Sequence, residues 1–263
     1  MRRLATILVP ILALCAAPAA AACTPAPGYH VPTNLELAQQ ANAIVLGEVV
    51  GGGQGTALDP DAATITVHPL AALKGLLPGQ NIVLSGMTIA EPDDAAANVL
   101  SAPLEFAKPH PEALTGACIR RVFPLGARAV FFLKRENGQW EPAGGPFSRW
   151  AEDVSGPDAP WVTLANLYAQ ASLLPTEQAR EKLEERHAAL VGHPDDPPSV
   201  AMAADLERSL AGPAPPLIAP LPPVGEDAPV AATGAGEPAR PESPPAEGLE
   251  SVEHAIDAFG GGG

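Results

Sequence analysis

The residues that could do chemistry are few and scattered. Cys23 follows a run of alanines in "AAPAAAACTPAPGYH", residues 16–30. Three roles are open to it there: a lipid attachment point, one half of a disulfide, or a new N-terminus whose amine and thiol meet a partner. His110 and Cys118 stand eight residues apart, and a Cys–His pair can act as nucleophile and base. One pair at arbitrary spacing makes no triad; a disulfide at Cys118 with His110 on a proline-flanked loop is the simpler reading. Ser85 in "VLSGM" lacks the first glycine of a nucleophile elbow. His187, His193, Asp195 and Asp196 cluster in the chain, but the step from His187 to His193 does not return to the same helix face. His187 falls in an apolar stripe, and Asp196 in "HPDDPP" reads as the cap of the helix that follows. The sequence therefore assigns no catalytic residue, no metal and no cofactor.

Arg120, Arg121, Arg128, Lys134 and Arg135 form a basic zone around "AVFFLK". Small β proteins bind nucleic acid through such zones with aromatic platforms. Against that, 11 acids face 8 bases within Cys23–Trp150 and the whole chain carries a net charge of −15, a poor match to phosphate or anionic lipid. A solvated basic face is expected, with an acidic protein partner as the lesser option, and no nucleic acid. Phe131 and Phe132 are adjacent, so at least one must point inward. His68 is expected on the polar face of its strand.

The start of the chain reads as a targeting segment. Arg2 and Arg3 precede the apolar "LATILVPILALCAAPA", and Ala20 and Ala22 supply the small residues a signal peptidase needs. The expected signal is 1–22, the location is periplasmic or secreted, and no segment is a membrane span. Lipid anchoring at Cys23 is the weaker alternative, because Ala20 stands where a lipobox has a larger aliphatic residue. Cys15 leaves with the signal, so Cys23 and Cys118 remain as a pair in an oxidising compartment, and such a pair reads first as a disulfide.

Strands are expected at 43–50, 64–70, 81–86, 129–134 and 139–143. The glycine-rich "GGGQGTALDPDA" between the first two is read as a flexible hairpin loop, because no helix opens after it as a phosphate cradle requires. "TNLELAQQA" has the Thr33/Glu36 spacing of a capping box. Segment 87–116 is irregular, an insertion carrying about one helical turn, of a length that tends to be functional. From Asp158 the period changes. Trp161, Leu164, Ala165, Tyr168 and Ala171 share one helical face; Ala179, Leu183, His187, Leu190 and Val191 share a second; "PSVAMAADLERSLAG" forms a third helix ended by Gly212 and Pro213. Beyond it the composition collapses to Pro, Ala, Gly and Glu, which cannot bury enough apolar area to offset ordering entropy.

The short helix, "ANAIVLGEV", "ATITVHPLAALKG", "GQNIVLSG", a later cysteine and "FPLGARAVFFL" together resemble the bacterial relatives of the TIMP-like (netrin-module) OB fold, over residues 23–143. The resemblance implies a mainly β fold. The expected organisation is a signal at 1–22, a five-stranded OB-like barrel at 23–150, an appended short-helix segment at 158–212, and a disordered acidic Pro/Ala/Gly-rich tail at 213–263. It also implies that Cys23 is tied to Cys118 by a disulfide. In the animal inhibitors of this family the amine and carbonyl of the first cysteine chelate the zinc of a metallopeptidase, through a Cys-x-Cys start. Here Pro25 replaces the second cysteine, so half of that clamp is missing. The expectation is an exported, non-catalytic module that binds a protein partner; the alternative is a metallopeptidase inhibitor with Cys23 as the zinc chelator.

Overall fold

The computed structural model describes residues 24–219, apart from residues 57, 76–78, 92–94 and 96–98. The signal segment, Cys23 and residues 220–263 lie outside the described residues. The chain divides into two units, Met1–Leu221 and Pro222–Gly263, and every described residue belongs to the first.

The fold starts with a short helix, α1 (Asn34–Gln40), capped as its sequence requires. The Thr33 hydroxyl accepts from Glu36 N–H, and the Glu36 carboxylate accepts from Thr33 N–H at 2.8 Å. Two long strands follow, β1 (Ala43–Gly53) and β2 (Thr64–Lys74), then β3 (Ile82–Ser85), a short β4 (Thr88–Ile89), β5 (Val122–Phe123), β6 (Arg128–Glu136), β7 (Gln139–Pro142) and β8 (Ala151–Asp153). The chain then becomes helical: α2 (Pro160–Ala171), α3 (Thr176–Val191) and α4 (Pro197–Leu210). Among the described residues the helices hold about as much of the chain as the strands, so the fold is mixed sheet and helix rather than mainly β.

Five strands close on themselves. β1 pairs with β2, β2 with β3, β3 with β7, β7 with β6, and β6 back with β1; all of these contacts are antiparallel except β3–β7, where Leu84 lies opposite Trp140. β8 pairs with the first part of β6, along the edge that β7 takes further on, with Ala129 opposite Asp153, and β4 and β5 form a separate parallel pair. The glycines expected to form a loop extend β1 instead, since Gly51, Gly52 and Gly53 pair with Thr66, Ile65 and Thr64. A side chain on Gly52 would collide with the Thr64 carbonyl. Glycine is there because two backbones approach closely.

β1 and β6 are buried on both faces, which is why "AIVL" and "AVFFL" read as continuous apolar runs. Val45, Val49, Phe131 and Leu133 point into the ring with Ile65, Leu84, Phe123 and Trp150. Ile44, Leu46, Val130 and Phe132 point the other way, under the helices. Both phenylalanines are therefore fully buried, on opposite sides of one strand. The helical faces of α2 and α3 pack on that second side: Trp161, Leu164, Ala165, Tyr168, Ala171, Ala179, Leu183 and Leu190 are all buried, whereas Val191 is exposed and His187 half-buried. After α4, Leu217 N–H donates to Tyr29 O and Gly28 N–H to Ile218 O, each at 2.9 Å, so within the segment expected to be a tail residues 217 and 218 are hydrogen-bonded to the start of the described chain.

Candidate binding groove

An apolar groove of about 500 Å³ is lined by the stretch around Leu100–Pro103, the turn Pro124–Ala127, the end of β8 and the start of α2. Each wall is fixed by local chemistry. In the turn, Ala127 N–H donates to Pro124 O, Gly126 takes a positive φ of 80°, and Gly126 N–H donates to Val49 O of β1. That geometry holds Leu125 at the tip, 65 % exposed. Leu100, 61 % exposed, also lines the groove. Its neighbour Ser101 is clamped: Ser101 N–H donates to Asp153 Oδ2 and Asp153 N–H to Ser101 Oγ, both at 3.0 Å. α2 opens with Ala159 at its N-cap and Pro160 in its first turn, without a side-chain cap or an acidic residue. Trp161 follows, stacked on Phe106 at 5.7 Å with the Arg149 guanidinium 4.5 Å over its ring.

Buried charges lie beside the groove and join the insertion to the sheet. Arg120, expected on a solvated face, is 1 % exposed; its Nη2 donates to Asp153 Oδ1 at 2.8 Å. It is buried because Asp153 offers a matched partner and Phe123 lies under its guanidinium at 4.3 Å. Glu152 accepts from His110 N–H at 2.9 Å, and burial pushes its carboxyl up. Glu112 accepts from the backbone N–H groups of Arg121 and Val122; its carboxyl too is raised by burial. Arg149 Nη1 donates to the carbonyls of Glu105 and Lys108, and burial lowers its basicity. Between β4 and β5 the insertion carries the 3-10 turn Pro111–Leu114 and no strand or α-helix among the described residues, so carboxylates and guanidiniums take backbone groups that a sheet would otherwise satisfy.

His110 belongs to this cluster and is 2 % exposed. Its Nε2 lies 3.0 Å from Val99 O and its Nδ1 accepts from Glu112 N–H, which together specify the neutral Nε2–H tautomer. Burial, with the Arg120 charge beside it, brings its pKa down to about 4. Both ring nitrogens are engaged in holding the insertion.

The other singled-out residues are dispersed. Cys118 is buried at a positive φ of 62°, and its carbonyl accepts from Phe147 N–H at 2.6 Å; Phe147 also has a positive φ, 60°. Cys23, as disulfide partner or zinc chelator, lies outside the described residues. Ser85 is exposed at the end of β3. His68 is exposed as expected, its Nδ1 3.0 Å from Asn81 Oδ1. His193 and Asp195 are exposed, and Asp196 caps α4 through Ser199 N–H at 3.1 Å. Among the described residues no three His, Cys, Asp or Glu side chains come together to hold a metal ion. Arg121, Arg128, Lys134 and Arg135 are at the surface to differing degrees, Arg135 over the Trp140 ring and Arg128 donating to Glu48 at 2.9 Å.

Sequence reasoning missed Leu100, Leu125, Ser101, Glu152 and Asp153. Only Leu125 carried a local signal, since Pro-Leu-Gly is turn chemistry that turns its central side chain outward. No protein-family model matches the chain, and no curated protein is detectably similar to it.

Proposed function

We propose that the protein is an exported, non-catalytic module that binds another protein, built on an OB-like ring of strands of the TIMP-like kind. The circuit of the ring, first–second–third–fifth–fourth in chain order with one parallel contact, supports the OB-like reading. The charged N-terminal residues followed by an apolar run support export. A Cys23–Cys118 bond belongs to the same proposal. The chain after Cys23 runs beside the turn that carries Phe147, with Tyr29 O–H donating to Pro146 O at 2.7 Å and Phe147 N–H donating to Cys118 O.

The observation that carries the binding function is the pair of exposed leucines on a rigid apolar groove. Leu125 is held out by a turn hydrogen-bonded to β1, and Leu100 by the Ser101–Asp153 clamp. Large apolar side chains fixed in solvent around a concavity mark a contact surface. A photoreactive residue at Leu125 should give one discrete cross-linked species in the producing cells, and the change Leu100→Glu should remove it. The same probe at Leu173, exposed on another part of the surface, should give none. Equal labelling from both positions, or indifference to Leu100→Glu, would sink the docking reading.

A further inference from the structure

We propose that residues 213–218 form a strap that opens and closes over a second pocket, away from the groove and independent of the docking reading. Closed, the strap completes the wall of that pocket and pins the chain ahead of α1. It begins where α4 ends. Gly212, the residue after the C-cap Ala211, takes a positive φ of 91°, a left-handed step that glycine makes at no steric cost and that turns the chain off the helix axis. Pro213, Pro215 and Pro216 then stiffen the run. At its far end Leu217 N–H donates to Tyr29 O and Gly28 N–H to Ile218 O, each at 2.9 Å. A pocket of about 350 Å³ is lined by residues 211–215 of this segment and, from the body of the fold, by Pro32, Phe106 and Phe147 among others.

The way the strap is held makes it releasable. Residues 213–218 are all exposed, so they bury little apolar area, and their Pro, Ala, Leu and Ile side chains can make no hydrogen bond. Two backbone bonds of ordinary net strength favour the seated strap by only about thirtyfold. Segments with exposed hydrogen bonds and few apolar contacts are the first to open. The other half of the clasp is firmer. Tyr29 O–H donates to Pro146 O at 2.7 Å, and the ring lies against Gly145, where a Cβ would come within 2.9 Å of the phenolic oxygen. The strap is therefore the part that moves. With it gone, residues 213–215 no longer wall the pocket, and Phe106, now buried, and Phe147 become reachable from solvent.

Hydrogen exchange of the full mature chain, read amide by amide, tests this. The Leu217 and Gly28 amides should exchange about 10- to 100-fold more slowly than in an unfolded chain. The Phe132 amide, which donates to Trp150 O between fully buried residues, should be slowed by at least about 1,000-fold. A Cβ at Gly212 meets nothing within 4 Å, so Gly212→Val acts only through the backbone angle. It should bring Leu217 and Gly28 to within about threefold of the unfolded rate, leave Phe132 unchanged, and raise the fluorescence of added 8-anilinonaphthalene-1-sulfonate as the pocket opens. Gly212→Asn, which tolerates a left-handed angle, should keep the strap seated. If Gly212→Val folds poorly, Leu217→Pro deletes the N–H to Tyr29 and should release the Gly28 amide in the same way. A Leu217 amide as slow as Phe132, or a Phe132 amide that speeds up together with Leu217 in the variant, makes the strap part of the global fold and overturns the proposal. An unprotected Leu217 in the native chain overturns it too, and so does a released strap with unchanged dye fluorescence, since it would then cover no pocket.

Discussion

Inside the strand ring, Val45, Ile65, Leu84, Phe123, Phe131 and Trp150 meet without a charge among them. Beside the groove, Arg120, Arg149 and Glu152 are buried to nearly the same degree, yet they bond to each other's neighbours and to backbone. The ring closes its own hydrogen bonds through strand pairing, so its interior needs only shape and apolar area. Among the described residues the insertion between β4 and β5 has little regular structure, so several of its backbone groups are satisfied by side chains rather than by strand pairing. The first kind of core loses stability in proportion to what is removed. The second depends on matched partners, and a single deletion leaves an uncompensated charge.

That contrast can be broken at four places. The largest effect is expected from the proposed Cys23–Cys118 bond, which would tie the segment ahead of α1 to the insertion. It would close a loop of about 95 residues and contribute about 4.7 kcal/mol in the chain-entropy model. Replacing both cysteines by alanine should lower the urea midpoint accordingly. An unchanged midpoint, or two alkylatable thiols in the unreduced protein, would remove the bond from the account.

Within the ring, Phe131→Ala should cost about 3–5 kcal/mol, because the cavity lies between Phe123 and Trp150, whose ring centroids are 5.9 and 6.1 Å from that of Phe131. A loss under about 1 kcal/mol would mean the interior collapses around the gap, and the rigid-ring picture would fail. Beside the groove, Arg120→Met should cost about 3 kcal/mol by stranding Asp153, and adding Asp153→Asn should restore about 1 kcal/mol. If the two changes simply add, the pair is not coupled as its 2.8 Å contact implies.

The smallest effect is a pH slope. Folded His110 resists protonation down to about pH 4, against an ordinary value of 6.5. Between those values the unfolded chain binds a proton that the folded chain refuses, so stability falls as pH falls, by at most about 1.4 kcal/mol per unit. Glu112, Glu152 and Asp205, whose carboxyls burial raises, act in the opposite sense and gain stability as pH falls. The His110 contribution is therefore read as a difference. The stability advantage of the native chain over His110→Gln should be largest near pH 7 and shrink toward pH 4. A constant difference would show that His110 titrates alike in both states.

Sequence alone determined the long regular elements and their apolar faces, but not the short strands β4, β5 and β8 or the extension of β1 through Gly53. Period, capping chemistry and punctuation are local, and α1 with its Thr33–Glu36 box, the buried stripe of α2 and the runs of β1 and β6 follow from neighbours within a few residues. The tertiary structure alone decided where charge could be buried and where apolar side chains had to stay exposed. Arg120 looked like its solvated neighbour Arg121 because nothing within the chain nearby announces Asp153, thirty-three residues on. Leu100 looked like a residue of an irregular segment until the Ser101–Asp153 clamp, spanning fifty-two residues, set it beside the groove. A charge is stable in the interior only when a distant partner meets it at hydrogen-bond distance, and that meeting is a property of the fold, not of any stretch of sequence.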